Sequence, residues 1–236
     1  MLHGVEASPT SPFTDHAPEE LLGALNDVEV RNAPARIYAA GDLSLLDAGP
    51  RVAIVGTRKP TPEGVRRAED LARALVHAGA VVVSGLAEGV DTAAHGAAIQ
   101  AGGRTIAVLG TALDQTFPAA NRELQRTIMR DHLALSQFPL GSPARRENFP
   151  QRNRTMALIS GATVIVEAGE TSGTLHQGWE ALRLGRLLLL MESLTKRQDL
   201  SWPREMIAYG AQVLSRENLP EVLRSLPELP RGAIAF

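Results

Sequence analysis

This 236-residue chain contains no cysteine, so disulfides, iron–sulfur clusters, cysteine zinc sites and thiol catalysis are excluded. Only two lysines occur, Lys59 and Lys196, and nearly all the positive charge is arginine. Neither sign of charge prevails: 24 basic residues face 26 acidic ones. No global basic field therefore draws in nucleic acid, and any such site must be a local patch. Aromatics are scarce, at 4%. The longest apolar run, Leu187–Met191, falls far below the ~20 residues a bilayer span needs. Residues 1–18 lack a basic start followed by an apolar stretch, which argues against a secretory signal and for a cytoplasmic protein without membrane contact. His3, His16, His77 and His132 show no metal-ligand spacing, so no metal is expected.

With 44% hydrophobic residues, the chain has an ordinary core at its disposal. Residues 1–18 read as disordered, a helix is expected over Pro18–Val28, and Asn32–Pro50 reads as an extended, turn-rich lead-in. From Arg51 onward short apolar runs alternate with helical periods. Strands are expected at Val52–Val55, Val81–Ser84, Thr105–Leu109, Leu133–Ser136, Thr163–Val166 and Leu187–Leu190, with a small one at Gln212–Leu214. The helices between them include Glu63–Ala78, Thr92–Ala101, Asn121–Arg130, Asn153–Ser160 and Thr174–Leu184. Strands that are apolar throughout belong to sheets covered on both faces. The expected fold is α/β: a doubly wound, mostly parallel sheet of extended Rossmann-like type. The expected organisation is a lead-in over 1–50, a core domain over 51–215 and a terminal helix and tail over 216–236.

Such sheets bind ligands where the loops leave their strand ends. After the first core strand come Gly56, Thr57, Arg58 and Lys59, a glycine followed at once by two cations. This suits a phosphate, or equally a turn with solvated charges. Next stand Ser84 and Gly85, then Asp91 and His95 at helical spacing, an acid–base pair or, more simply, structural hydrogen bonding. Gly110 follows the third strand, with Asp114 in the loop and Asn121 placed to cap a helix. Residues 143–156 carry four arginines (Arg145, Arg146, Arg152, Arg154) against a single glutamate, with Phe149 and Asn153 among them. Arginine forks grip phosphates and an aromatic ring stacks on an exposed base. Internal ion pairing is the bland alternative. Last, Glu167 stands at a strand end before Ser172, Gly173 and Thr174, a small turn opening a helix that is either an anion site or a cap.

Read in order, VAIVGTR (52–58), SGLAEGVDTAAH (84–95), TIAVLGTALDQTFPAAN (105–121), FPQRNRTMALIS (149–160) and EAGETSGTL (167–175) resemble the DprA (Smf) family of bacterial DNA processing proteins, over about residues 30–190. The resemblance implies a protein without catalytic chemistry or cofactor. It implies binding of single-stranded DNA, dimerisation, and loading of the RecA recombinase during natural transformation and recombination. Its DNA pocket maps onto Arg58 and onto Phe149, Arg152, Asn153 and Arg154, with glycine-rich turns at Gly56, Ser84, Gly85 and Gly110. The family's flanking helical and winged-helix domains are expected to be missing, and Met191-Glu192-Ser193 replaces its usual Pro-Gly turn, which puts RecA loading in question. The competing reading is a nucleotide sensor, or an enzyme like the LOG-type phosphoribohydrolases, which the fold resembles. Their catalytic glutamate has no counterpart at its spacing after Gly173-Thr174, and only Glu180 lies nearby.

Overall fold

The computed structural model describes residues 13–229. In chain order the elements are β1 (Thr14–His16), α1 (Pro18–Leu22), α2 (Asp27–Asn32), β2 (Ile37–Gly41), β3 (Arg51–Val55), α3 (Pro62–His77), β4 (Val81–Ser84), α4 (Val90–Gln100) and β5 (Thr105–Leu109). Then come α5 (Arg122–Asp131), β6 (Leu133–Ser136), α6 (Asn148–Ile159), β7 (Ala162–Ile165), α7 (Thr174–Arg183), β8 (Leu187–Met191), α8 (Glu192–Thr195), α9 (Trp202–Ala208), β9 (Gln212–Leu214) and α10 (Leu219–Arg224).

The nine strands of the described residues form one sheet in the order β1-β2-β6-β5-β4-β3-β7-β8-β9. From β6 to β9 every pairing is parallel. β2 runs antiparallel to β6, and β1 to β2. The expected doubly wound α/β, Rossmann-like architecture is what the structure shows. Alternate residues of each strand supply opposite faces, as strand geometry requires. Val52 and Ile54 of β3 join the cluster under α3, α4 and α10, with Ala68, Leu71, Ala94 and Ala98. Ala53 and Val55 join the opposite cluster with Met156, Ile159 and Trp202. Trp202 is thus a packing residue, as is Trp179, which packs against that second cluster and meets Tyr209 edge-on.

The strand order reverses its direction of growth at β3: β4, β5 and β6 build to one side, β7, β8 and β9 to the other. The diverging loops after β3 and β7 leave a crevice there, the usual ligand position in an open parallel sheet.

Three local expectations change. The helix expected over 18–28 is two helices, because Gly23 turns the chain at φ 78° and Asn26 starts a new helix. Asn26 accepts from Val28 N and Glu29 N, while Glu29 reaches back to Asn26 N, a capping box. The lead-in is partly sheet: β1 lies within the segment expected to be disordered, and β2 pairs with the distant β6. The rest of the disorder expected for the start (residues 1–12), and part of the expected frayed tail (residues 230–236), lie outside the described residues. Finally, α6 starts at Asn148, five residues before the expected Asn153. Pro150 stands in its first turn, where a missing N–H removes no hydrogen bond. Phe149 and Arg152 therefore belong to a rigid helix and not to a loop.

Candidate functional site

A cavity of about 410 Å³ occupies the crevice. Its walls are Gly56, Thr57, Arg58 and Lys59 after β3, Ser172, Gly173 and Thr174 at the start of α7, and Phe149, Arg152 and Asn153 of α6. A smaller recess adjoins it, edged by Gly85, Gly110, Phe117 and Phe149, with Arg58 and Arg152 shared between the two. Segments up to 118 residues apart in sequence are thus brought to one place, as the bond from Thr174 Oγ1 to Gly56 O (3.0 Å) shows directly.

The loop after β3 is braced by protein. Thr57 N donates to Glu167 O at 2.7 Å, and Val90 N donates to Thr57 O at 3.3 Å. Glu167 accepts from Thr61 N at 3.0 Å and from Thr61 Oγ1 at 2.7 Å, so its carboxylate is fixed at the start of α3. What the loop presents outward is charge. Arg58 and Lys59 are exposed and, among the described residues, form no ion pair. The Arg58 guanidinium lies 5.3 Å from the centroid of the Phe149 ring, a cation–π distance. Phe149 in turn meets Phe117, with centroids 5.5 Å apart and rings tilted by 50°. Phe117 is 48% exposed. Arginine, half-covered ring and exposed ring form a graded edge along the recess.

The strand-end glycines lie close against groups of the protein itself. A Cβ on Gly56 would stand 2.5 Å from Val90 Cγ2 and 2.9 Å from Glu167 O. A Cβ on Gly85 would overlap the Arg152 guanidinium, at 1.9 Å from Nη1. A Cβ on Gly110 would stand 2.6 Å from Phe149 Cδ1. Each glycine makes room for a side chain of the protein itself.

Arg152 also differs from expectation. It is only 5% exposed, and Nη1 donates to Gly85 O and to Val108 O (2.8 Å), while Nε donates to Asn153 Oδ1 (3.0 Å). Burial pulls its pKa below the ordinary arginine value, opposed by the charge of Asp91. Asp91 is buried as well, and its Oδ2 accepts from Gly85 N at 3.1 Å and Ala87 N at 3.3 Å. Burial pushes its carboxyl up, with Arg152 pulling the other way. His95 bonds Thr105 Oγ1 at 2.7 Å and is not hydrogen-bonded to Asp91; burial holds it down to about 3, hence neutral. The structural reading of Asp91 and His95 is the one the geometry supports.

The other candidates divide plainly. Ser84 is fully buried and donates to Ile54 O at 2.7 Å, so it supports the strand end and does not line the cavity. Arg154 turns away from the cavity, with Nε 3.3 Å from the buried Glu180, because two residues along a helix do not share a face. Glu180 is bound by Arg183 as well, at 3.0 Å. Arg145 and Arg146 are exposed before α6 and do not line either recess; Arg145 lies 4.0 Å from Glu147. Asn121 does not cap α5: its Nδ2 donates to Leu86 O and Thr92 Oγ1, both at 2.9 Å. Asp114 accepts from Gly141 N at 2.9 Å. Ser172 Oγ does accept from Thr174 N, at 3.2 Å. Sequence reasoning missed Phe117 and His176 as lining residues. Phe117 carried a usable signal, being one of five phenylalanines and standing in a strand-end loop.

Among the described residues, no group of three acidic or histidine side chains is placed to hold a metal, and no helix is long and apolar enough to cross a membrane.

Fold and site define a Rossmann-like protein with an arginine- and phenylalanine-edged cleft at the switch point of its sheet. A family model, DNA recombination-mediator protein A, matches residues 17–226, and the chain belongs to that family. Protein Smf of Synechocystis is 38% identical over 205 residues, which are 86% of this chain and 51% of that protein. The X-ray structure of DNA processing protein A (DprA) from Streptococcus pneumoniae gives a TM-score of 0.78 at 33% identity, covering 92% of this chain and 75% of the other. DNA processing protein A from Helicobacter pylori, whose structure concerns a unique single-stranded DNA binding mode, gives 0.76 at 28% identity, covering 91% and 95%. The chain spans about half the length of the curated relatives it matches, 51% of Synechocystis Smf and 55% of S. pneumoniae DprA.

Proposed function

We propose that this chain binds single-stranded DNA in the cleft at the β3–β7 switch point, as a binding module without chemistry of its own. The observation that carries the reading is the Arg58–Phe149–Phe117 edge, at 5.3 and 5.5 Å, beside a cavity walled by small polar residues. Single strands are held without sequence readout by cations on the backbone and aromatic faces on the bases. In this arrangement Arg58 and Lys59 take phosphates, and Phe149 and Phe117 stack on bases. Thr57, Asn153, Ser172, Gly173 and Thr174 line the backbone's path. The H. pylori relative's single-stranded DNA binding supports the assignment. Glu180, the one glutamate near the position a phosphoribohydrolase would use, pairs with Arg154 and Arg183 and does not line the cavity, which favours the binding reading. Assembly as a homodimer and delivery of the strand to RecA, in a cytoplasmic recombination pathway, complete the proposal on the strength of family membership.

The test is fluorescence anisotropy of a labelled oligo-dT with nucleoside monophosphates as competitors. Binding of the oligonucleotide that millimolar monophosphate fails to displace is expected. Tight monophosphate binding, or release of free base, with no strand binding would replace this reading with a nucleotide sensor or phosphoribohydrolase.

A further inference from the structure

The geometry points to Arg152 as a positioning residue for the strand-binding edge and not a phosphate ligand: it locks the ends of β4 and β5 to α6, and so sets Phe149. This rests on the proposed strand-binding cleft and assigns the work of a residue within it. Three of the five guanidinium N–H groups are already used, two on the carbonyls of Gly85 and Val108 and one on Asn153 Oδ1. Gly85 follows β4 directly and Val108 lies in β5, so one side chain ties two neighbouring strand ends to the first turns of α6. Asp91 holds the same loop from its other side, through Gly85 N and Ala87 N.

Phe149 and Arg152 are three residues apart on α6 and share a face. Arg152 presses on Gly85 and Phe149 presses on Gly110, each where a Cβ would not fit. The two contacts form one joint. If the Arg152 fork is lost, the helix face that carries the ring loses its seat on the sheet.

The experiment compares wild type with Arg152→Gln, Arg152→Lys, Gly85→Ala and Arg58→Ala. Affinity for oligo-dT is measured across salt concentrations. An internal 2-aminopurine reports stacking, and hydrogen exchange at 85–87 and 110–112 is followed in the free protein. A lost phosphate contact lowers the slope of log K against log salt by ~0.7 for a single strand. Arg58→Ala is expected to show that loss. Arg152→Gln is expected to weaken binding about tenfold, dim the stacking signal and speed exchange at both segments, with the slope unchanged. Lysine keeps the charge but not the planar fork, so Arg152→Lys is expected not to rescue. Gly85→Ala keeps every charge, displaces the guanidinium, and is expected to reproduce the stacking and exchange effects even if Arg152→Gln fails to fold. A slope reduced by ~0.7 in Arg152→Gln and restored in Arg152→Lys would make Arg152 a phosphate ligand and overturn the proposal. So would unchanged exchange in both Arg152→Gln and Gly85→Ala. Exchange is read without DNA, so failure of wild type to bind the strand would remove the cleft reading while leaving the joint itself decided.

Discussion

Substituting Gly110 by alanine probes the seat of the Phe149 ring without touching a charged group. The new Cβ would lie 2.6 Å from Cδ1 and 2.8 Å from Cε1 of the ring, and ordinary contact starts at 3.4 Å. The ring must therefore retreat by nearly an ångström. It is hemmed in by Phe117 and by the Arg58 guanidinium, so the retreat disturbs the whole stacking edge. Stacking of a base on an aromatic side chain contributes about 1–3 kcal/mol. Displacing the ring rather than deleting it forfeits the lower end of that range, about 1 kcal/mol or fivefold in Kd. Deleting it, in Phe149→Ala, costs up to about 3 kcal/mol, on the order of a hundredfold. Gly110 has no left-handed φ, so alanine meets no backbone penalty. Overpacking costs about 1–3 kcal/mol of stability, partly offset by about 0.4–1 kcal/mol from the stiffer unfolded chain. The assay is a double-mutant cycle on oligo-dT binding, at one salt concentration. Gly110→Ala should cost affinity in wild type and nothing in Phe149→Ala, where no ring is left to displace. An equal cost in both backgrounds, or no cost in wild type, would refute the reasoning.

Other expectations follow from the same geometry. Arg154→Ala should leave strand affinity within about twofold by anisotropy, because Arg154 serves Glu180 and not the cleft. Arg186→Ala should lower stability by about 3 kcal/mol in urea unfolding, because it strands the buried Glu29 carboxylate it pairs with. His95 is held near 3 in the folded protein against 6.5 when free, so only the unfolded chain takes up its proton as pH falls through 6.5. Its contribution to stability is complete above that pH. It declines by about 1.4 kcal/mol per pH unit below, reaching a loss of about 2 kcal/mol at pH 5. Thermal melts from pH 7 to 5 should therefore show a flatter dependence in His95→Gln, and parallel curves would contradict the assignment.

How much could be read from residues alone varied with the kind of contact. β3 to β8 were legible to within a residue or so, because strands buried on both faces are written as uninterrupted apolar runs such as Val52–Val55 and Leu187–Leu190. β1 and β2 were not, since Thr14–His16 has only three residues and Ile37–Gly41 owes its pairing to the remote β6. The cleft's members were largely legible by type, as glycines, hydroxyls, arginines and one phenylalanine beside strand ends. Their roles were not. A glycine that admits a ligand and a glycine that admits Phe149 are the same letter, and only the packing separates Gly110 from a phosphate loop. Likewise, Arg152 and Arg154 look equivalent in sequence. One turns into the sheet and the other toward α7, because two residues along a helix rotate the side chain by about 200°.

The most direct test of the central claim is a crystal structure of this chain with a short oligo-dT. A base stacked on Phe149, with adjoining phosphates within hydrogen-bond reach of Arg58 and Lys59, is the predicted result. A strand lying elsewhere on the surface, with the cleft between the loops after β3 and β7 empty, would contradict it.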